Sequence, residues 1–228
     1  MSSGSPERAV LPVAPGVSLR LGARWDARVG SDPQPELTEL SSVAGARVVA
    51  WHSLVGPDHV RLQALCATAP SDRWVPGIEE IVLDRAMALT RRGVPGEIVR
   101  WEPGAVRAAP AGTGSSFEQG FTGGARQGEG SRAVRGRILL GFEGEERSAL
   151  LCSVLCTEPA VASAAGSGCE SLVEATALEG ELAAPPAPGA VVRGLLLVAE
   201  HPRPVGAALV LAAVTGIVVL LQRRPRHR

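Results

Sequence analysis

Val17, Leu19 and Leu21 alternate with Ser18, Arg20 and Gly22, and this period of two predicts a half-buried strand. RVVAWHSLV from Arg47 and the stretch His59 to Thr68 flank Gly56-Pro57-Asp58, which predicts a hairpin with Val60, Leu62, Ala64 and Cys66 on one face. Pro76-Gly77 then opens a helix whose apolar face is Ile78, Ile81, Val82, Ala86 and Leu89. Arg91 and Arg92 complement the dipole at its end, Gly93 suits the left-handed residue after the last turn, and Pro95 forbids continuation. Glu97 to Trp101 and Phe117 to Phe121 read as short strands joined by a Pro/Gly/Ala-rich connection. Gly123 to Gly130, with four glycines, reads as a mobile loop. Val134, Gly136, Ile138, Leu140 and Phe142 alternate with Ala133, Arg135, Arg137, Leu139 and Gly141, the clearest half-buried strand. Ser148 to Thr157 is almost continuously apolar, as a central strand covered on both faces would be. Ser167 and Glu170 form a capping-box pattern that opens a second helix, Cys169 to Leu182, with Leu172, Val173, Thr176 and Ala177 on one face.

Beyond this region Ala183 to Pro188 (AAPPAP) begins a Pro-rich linker, and Val191 to Ala199 is a further strand or an apolar lead-in. Val205 to Leu221 carries no charged residue, and as a helix it would be about 25 Å long, close to the hydrocarbon thickness of a bilayer. It predicts a single-pass transmembrane anchor built on Val205, Leu209, Leu211, Ile217 and Leu221, closed by the cationic tail Arg223, Arg224, Arg226 and Arg228. The expected organisation is a flexible arm (1–16), a domain (17–182), a linker (183–204), a transmembrane helix (205–221) and a basic tail (222–228). The expected class is α+β, an antiparallel sheet packed against two main helices and followed by the membrane helix.

The chain has no Lys, Asn or Tyr, and its wealth of Arg, Ala, Gly, Pro and Val looks like codon bias rather than chemistry. The first 221 residues hold 19 Arg against 23 acidic groups, which leaves no cationic footprint for nucleic acid. Three Phe and four Trp make poor stacking platforms for single strands. MSSGSPERAVLPVAPG lacks a basic region followed by an apolar core, so the domain is expected in the cytoplasm; the positive-inside rule applied to the tail favours the opposite orientation. Cys66, Cys152 and Cys156 lie in apolar runs and read as free thiols packed as small hydrophobes. Cys152 and Cys156, about 13 Å apart along one strand, can share neither a zinc ion nor a disulfide. Cys169 could pair with one of them only in an oxidising compartment.

Without lysine the chain can hold no Walker A lysine, no pyridoxal phosphate Schiff base and no kinase strand lysine. Gly112-Thr113-Gly114 has Phe117 in place of the third glycine of a dinucleotide loop. There is no GxSxG elbow and no HExxH pair. His52, Asp58 and His59 are the one grouping from which a membrane-tethered hydrolase could be built, although Asp58 and His59 fall at the hairpin turn. Arg126, Arg132, Arg135 and Arg137 form the densest basic patch outside the tail and could meet an anionic surface, if they are not simply a solvated strand face.

The order of elements resembles that of the Mog1/PsbP/DcrB-like α/β sandwiches. The carriers are GVSLRL, VPGIEEIVLDRAMAL, the AVRGRILLGF and SALLCSVLC strands, and CESLVEATALEGEL, across about Gly16 to Leu182. The resemblance implies a non-catalytic module of the kind that serves as an assembly factor, small-GTPase partner, lipoprotein or secretion chaperone, with no catalytic residues to carry over. The expected function is therefore a membrane-anchored binding or adaptor domain with a protein partner, no cofactor and no metal. The alternatives are the hydrolase and an exported surface protein with a C-terminal sorting tail.

Overall fold

The computed structural model describes residues 10–21, 46–55, 59–71, 74–75, 77–109, 116–143, 148–160 and 168–186. All of them belong to the first of two compact units, which spans Met1–Pro186. In chain order the elements are β1 (Val10–Ala14), β2 (Val17–Arg20), β3 (Arg47–Val55), β4 (Arg61–Pro70), α1 (Glu79–Arg92), β5 (Glu97–Ala108), β6 (Phe117–Gln127), β7 (Gly130–Glu143), β8 (Ser148–Pro159), α2 (Gly168–Glu174), β9 (Ala177–Gly180) and β10 (Leu182–Ala183). The main sheet runs β3-β4-β8-β7-β6-β5 with every neighbour antiparallel, and β10 pairs with the end of β7. A second sheet has the order β1-β2-β9, also antiparallel.

Alternation along the central strands divides the core between two faces. Leu150, Cys152, Val154 and Cys156 of β8 and Leu62, Ala64 and Cys66 of β4 pack against Leu11 and Val13 of β1, Val17 and Leu19 of β2, Leu178 of β9 and Val173 of α2. On the opposite face Ile138, Leu140 and Phe142 of β7 and Leu155 of β8 meet Leu83, Ala86 and Met87 of α1. Phe142 is packed edge-on by Trp74, with ring centroids 4.6 Å apart. β8 is thus covered on both sides, as its continuous apolar run predicts. The hairpin of β3 and β4 is also as expected.

The class is mainly β, which corrects the expected two-helix α+β arrangement. The second helix is seven residues long and stops at Glu174, where Arg137 Nη1 donates to the carbonyls of Glu174 and Thr176. The following residues pair with β2 as β9, so an open strand edge overrides the helical pattern of Cys169 to Leu182. Ser167 lies outside the described residues, and the Cys169 N–H is instead met by the buried Glu158 carboxylate at 3.3 Å. β1 lies within the segment expected as a flexible arm. α1 forms, but Ile81 points outward at 69% exposure while Leu83 and Met87 take the core, and Gly93 stays right-handed at φ −77°.

The glycine-rich stretch from Gly123 is no loop up to Gln127, because it continues β6 in register with β7. Gly123 is required there by close approach: a Cβ would sit 2.7 Å from the Arg100 carbonyl oxygen on β5. β5 likewise extends well into the expected connection.

The expected single-pass membrane protein with its domain in the cytoplasm is also corrected. Among the described residues no helix is long and apolar enough to cross a membrane. Val205–Leu221, the linker beyond Pro186 and the arginine tail lie outside the described residues. All four cysteines are paired, which overturns the reading as free thiols. Cys66 and Cys152 are direct partners in the β4–β8 register with Cα atoms 4.1 Å apart, and Cys156 joins Cys169 of α2 at 5.6 Å. Disulfides persist mainly in oxidising compartments, so the two bonds stand against the expected cytoplasmic placement.

Candidate functional site

The small sheet and α2 cover β3, β4, β8 and part of β7, and they leave the β5 and β6 side of the same face open. The result is a groove of about 590 Å³ bounded by α2 on one side and by Glu102 and Arg107 of β5 on the other. Its floor is β6, where the alternation that turns Phe117 and Phe121 towards α1 turns Gly120 and Thr122 into the groove. A Cβ on Gly120 would meet no heavy atom closer than 3.9 Å, so the groove exists partly because a side chain is missing there. Gly136 is different: its Cβ would run into the Phe121 ring and come within 2.5 Å of the Val154 carbonyl oxygen.

Charges in the groove are organised around Glu118, a carboxylate with 1% of its side chain exposed. One oxygen accepts from Arg107 Nε at 2.5 Å and the other accepts from Arg137 Nη2. Arg137 is 15% exposed and also holds the carbonyls of Glu174, the last residue of α2, and of Thr176 beyond it, whereas Arg107 is 71% exposed and reaches across from β5. Arg135, on the same face of β7, pairs with Glu170 of α2 at 3.4 Å. A buried carboxylate is costly without partners, and here two guanidinium groups supply them. Ion pairs join β5, β6 and β7 through Glu118, and α2 is tied to β7 by the separate Arg135–Glu170 pair and by the Arg137 hydrogen bonds. Among the described residues that line the groove there is no His, Cys or Ser.

A second cleft of about 540 Å³ lies between α1 and β5, with Met87, Ala88, Ile98, Trp101 and Pro103 lining it beside the charged Asp84, Arg91 and Arg92. Trp101 stacks on Phe121 at 4.6 Å, with the Arg91 guanidinium 6.0 Å above its ring. The neighbouring edge of β5 is poorly suited to adding another strand. Its register shifts between Ile98 and Arg100 and again between Pro103 and Val106, and Pro103 has no N–H to offer.

The candidate hydrolase residues are not gathered into a site. His52 sits within β3 opposite Ala64, three residues before the strand ends, and His59 lies beyond that end, so at least about 10 Å of strand separates them. Burial holds the His52 imidazole below its ordinary pKa of 6.5, and its Nδ1 has no partner among the described residues. His59 takes φ +60°, and its carbonyl accepts from Arg132 Nη2 at 2.7 Å. Asp58 lies outside the described residues. Among the described residues no group of three His, Cys, Asp or Glu could hold a metal ion.

The four-arginine patch is divided between the faces of the main sheet. Arg135 and Arg137 point into the groove. Arg132, of the opposite parity on β7, is tied to the His59 and Thr157 carbonyls, and burial and the nearby Arg61 lower its pKa. Arg126 pairs in register with Ser131, four residues along from Arg135, or about 13 Å. Glu118 and Gly120 were missed from the sequence. Their signal was present in the alternation with Phe117, Gln119 and Phe121, but only the strand register reveals that Arg107 and Arg137 flank them.

No family model matches the chain, and no curated protein matches it. Among solved structures the chain is similar to LpqN, a protein involved in cell envelope biogenesis of Mycobacterium tuberculosis, at 12% identity. The alignment covers 75% of this chain and 90% of that one with a TM-score of 0.41. At that identity and score the likeness assigns neither an activity nor a partner.

Proposed function

We propose that this domain is a non-catalytic binding module that receives a protein partner in the groove between α2 and β5 and works as an accessory factor in an oxidising compartment. The observation that carries the reading is the groove itself: a floor cleared at Gly120, beside a wall tethered by a disulfide and by ion pairs. Glu170 and Glu174 on the α2 rim, Glu102 and Arg107 on the β5 rim, and Arg135 and Arg137 between them suit a complementary polypeptide surface, where charge placement sets register and excludes wrong partners. Its arginines are already engaged with Glu118 and Glu170, which favours recognition over acid–base work. The two disulfides support the compartment.

The test is a photo-crosslinking amino acid placed at Thr122 in the full chain in its native cells, with Glu80 on the exposed side of α1 as the control site. Discrete protein adducts are expected from Thr122 alone, and Gly120→Leu should abolish them while leaving the thermal midpoint nearly unchanged, since a Cβ there comes no closer than 3.9 Å to a heavy atom. Adducts that arise equally at Glu80, or that persist with leucine at position 120, would overturn the reading.

A further inference from the structure

We infer that the Cys156–Cys169 disulfide is a thiol-sensitive latch on the groove, reduced ahead of Cys66–Cys152 and releasing the α2 wall when it opens. The latch deepens the groove reading by naming its regulation, and its functional meaning rests on that reading.

The two disulfides sit in different mechanical settings although all four cysteines are buried. Cys66–Cys152 joins β4 to β8 in the middle of a ladder that is paired continuously from Arg61↔Thr157 to Pro70↔Ser148. Exposing its sulfurs requires two central strands to part, which amounts to unfolding the sheet. Cys156–Cys169 joins β8 to a helix of seven residues, shorter than any helix that is stable on its own in water. Local openings are drawn from elements with few cooperative contacts, and α2 is such an element.

What else holds α2 is concentrated at its C-terminal half. Arg137 meets the carbonyls of Glu174 and Thr176, and Val173 is buried in the core. At the N-terminal half the disulfide is accompanied by the 3.3 Å hydrogen bond from the Cys169 N–H to Glu158 and by the partly exposed Arg135–Glu170 pair. The second Glu158 carboxylate oxygen is buried with no partner among the described residues. Glu170 and Glu174 face the groove from this helix, and its departure would remove one rim.

The reductant is a dithiol, either a redox protein or a small-molecule analogue. One of its thiolates attacks a sulfur of the Cys156–Cys169 bond, displacing the other sulfur as a thiolate and leaving a mixed disulfide. The second thiol of the reductant then closes its own disulfide and frees the remaining cysteine. Two electrons pass to the protein, Cys156 and Cys169 end as thiols after taking up two protons, and the reductant ends oxidised.

The experiment titrates the full chain with dithiothreitol, maps thiols by alkylation and mass spectrometry, and follows backbone hydrogen exchange at each step. Cys156 and Cys169 should be alkylated first. At that stage amides from Cys169 to Thr176 should exchange at least tenfold faster while those of β7 and β8 keep their protection. Cys156→Ala/Cys169→Ala should show the same local loss without reductant. Reduction of Cys66–Cys152 first or simultaneously, or unchanged α2 protection in both the reduced chain and the variant, would overturn the latch. Should the variant fail to fold, the partially reduced wild-type chain still decides the question. Both readouts are made on the protein alone, so their outcome is separate from whether Thr122 crosslinks to a partner.

Discussion

The two faces of the main sheet are covered by different means. One carries a single helix of 14 residues, α1, held by Leu83, Ala86 and Met87 against aromatic and aliphatic side chains with few polar ties. The other carries a three-stranded sheet and a seven-residue helix, held by a disulfide and by arginines that reach buried or terminal carbonyl and carboxylate groups. A continuous amphipathic helix closes its face mainly through apolar burial, with Gln119 donating to Asp84 and Thr90 hydrogen-bonded to Ser153. A cover assembled from short pieces needs covalent and ionic ties, and it leaves a gap where the pieces end. That gap is the groove, and the face with the more elaborate attachments is the one offered to a partner.

The largest expected effect removes the disulfide within the main sheet, on which both covers rest. Cys66→Ala/Cys152→Ala opens a loop of 86 residues and should cost about 4.6 kcal/mol on chain-entropy grounds, against about 2.9 kcal/mol for the 13-residue separation of Cys156→Ala/Cys169→Ala. Urea titration of the two variants measures the difference, and equal losses would contradict the contrast between central ladder and peripheral latch.

Next, Glu118→Ala strands Arg137 in a site where it is 15% exposed and should cost about 3 to 5 kcal/mol. Arg107→Ala should cost less than about 1 kcal/mol, because Arg107 is mostly in solvent. If the two variants proved equally stable, the groove would not be organised around the buried carboxylate. On the other face, Leu83→Ala should lose about 3 kcal/mol through cavity formation and should leave crosslinking at Thr122 intact wherever the chain remains folded. Loss of crosslinking from a still-folded Leu83→Ala chain would show that the two faces are not independent.

The smallest effect concerns pH and the covered end of the groove-bearing face. The His52 pKa is depressed by burial, so the unfolded chain binds the proton more readily than the folded one between the lowered value and 6.5. Stability should therefore fall as the pH drops below about 6.5, and His52→Leu should flatten that slope in urea midpoints measured from pH 7.5 to 5. An unchanged slope would place the acid sensitivity elsewhere.

The sequence was informative where one strand or helix meets an apolar environment whatever its neighbours are. Ser148 to Thr157 reads as a central strand because apolar residues occupy both of its faces, and β8 is central. The hairpin from Arg47 is legible because the turn and the alternation agree. β5 and β6 were cut short because proline and glycine signal breaks locally, whereas here Pro103 falls on an edge strand and Gly123 allows the backbone of β5 to approach. The groove was invisible for a related reason. Arg107, Glu118 and Arg137 come from three strands, and their meeting depends on the register of β5, β6 and β7.

The cysteines mark the boundary most sharply. Taken alone, the sequence determined that Cys152 and Cys156 share one face of a strand and cannot bond to each other, since alternation and rise along a strand are local properties of the backbone. It also determined that a helix follows Pro76-Gly77, although its buried face holds Leu83 and Met87 in place of Ile81, and that lysine chemistry is absent. Only the tertiary structure decided that Cys152 meets Cys66, that Cys156 meets Cys169, and that the residues after Glu174 leave the helix to pair with β2. The physical reason is the same in each case: partner choice across strands is set by register and by which edges remain open. Those are properties of the assembled sheet, and no window of neighbouring residues contains them.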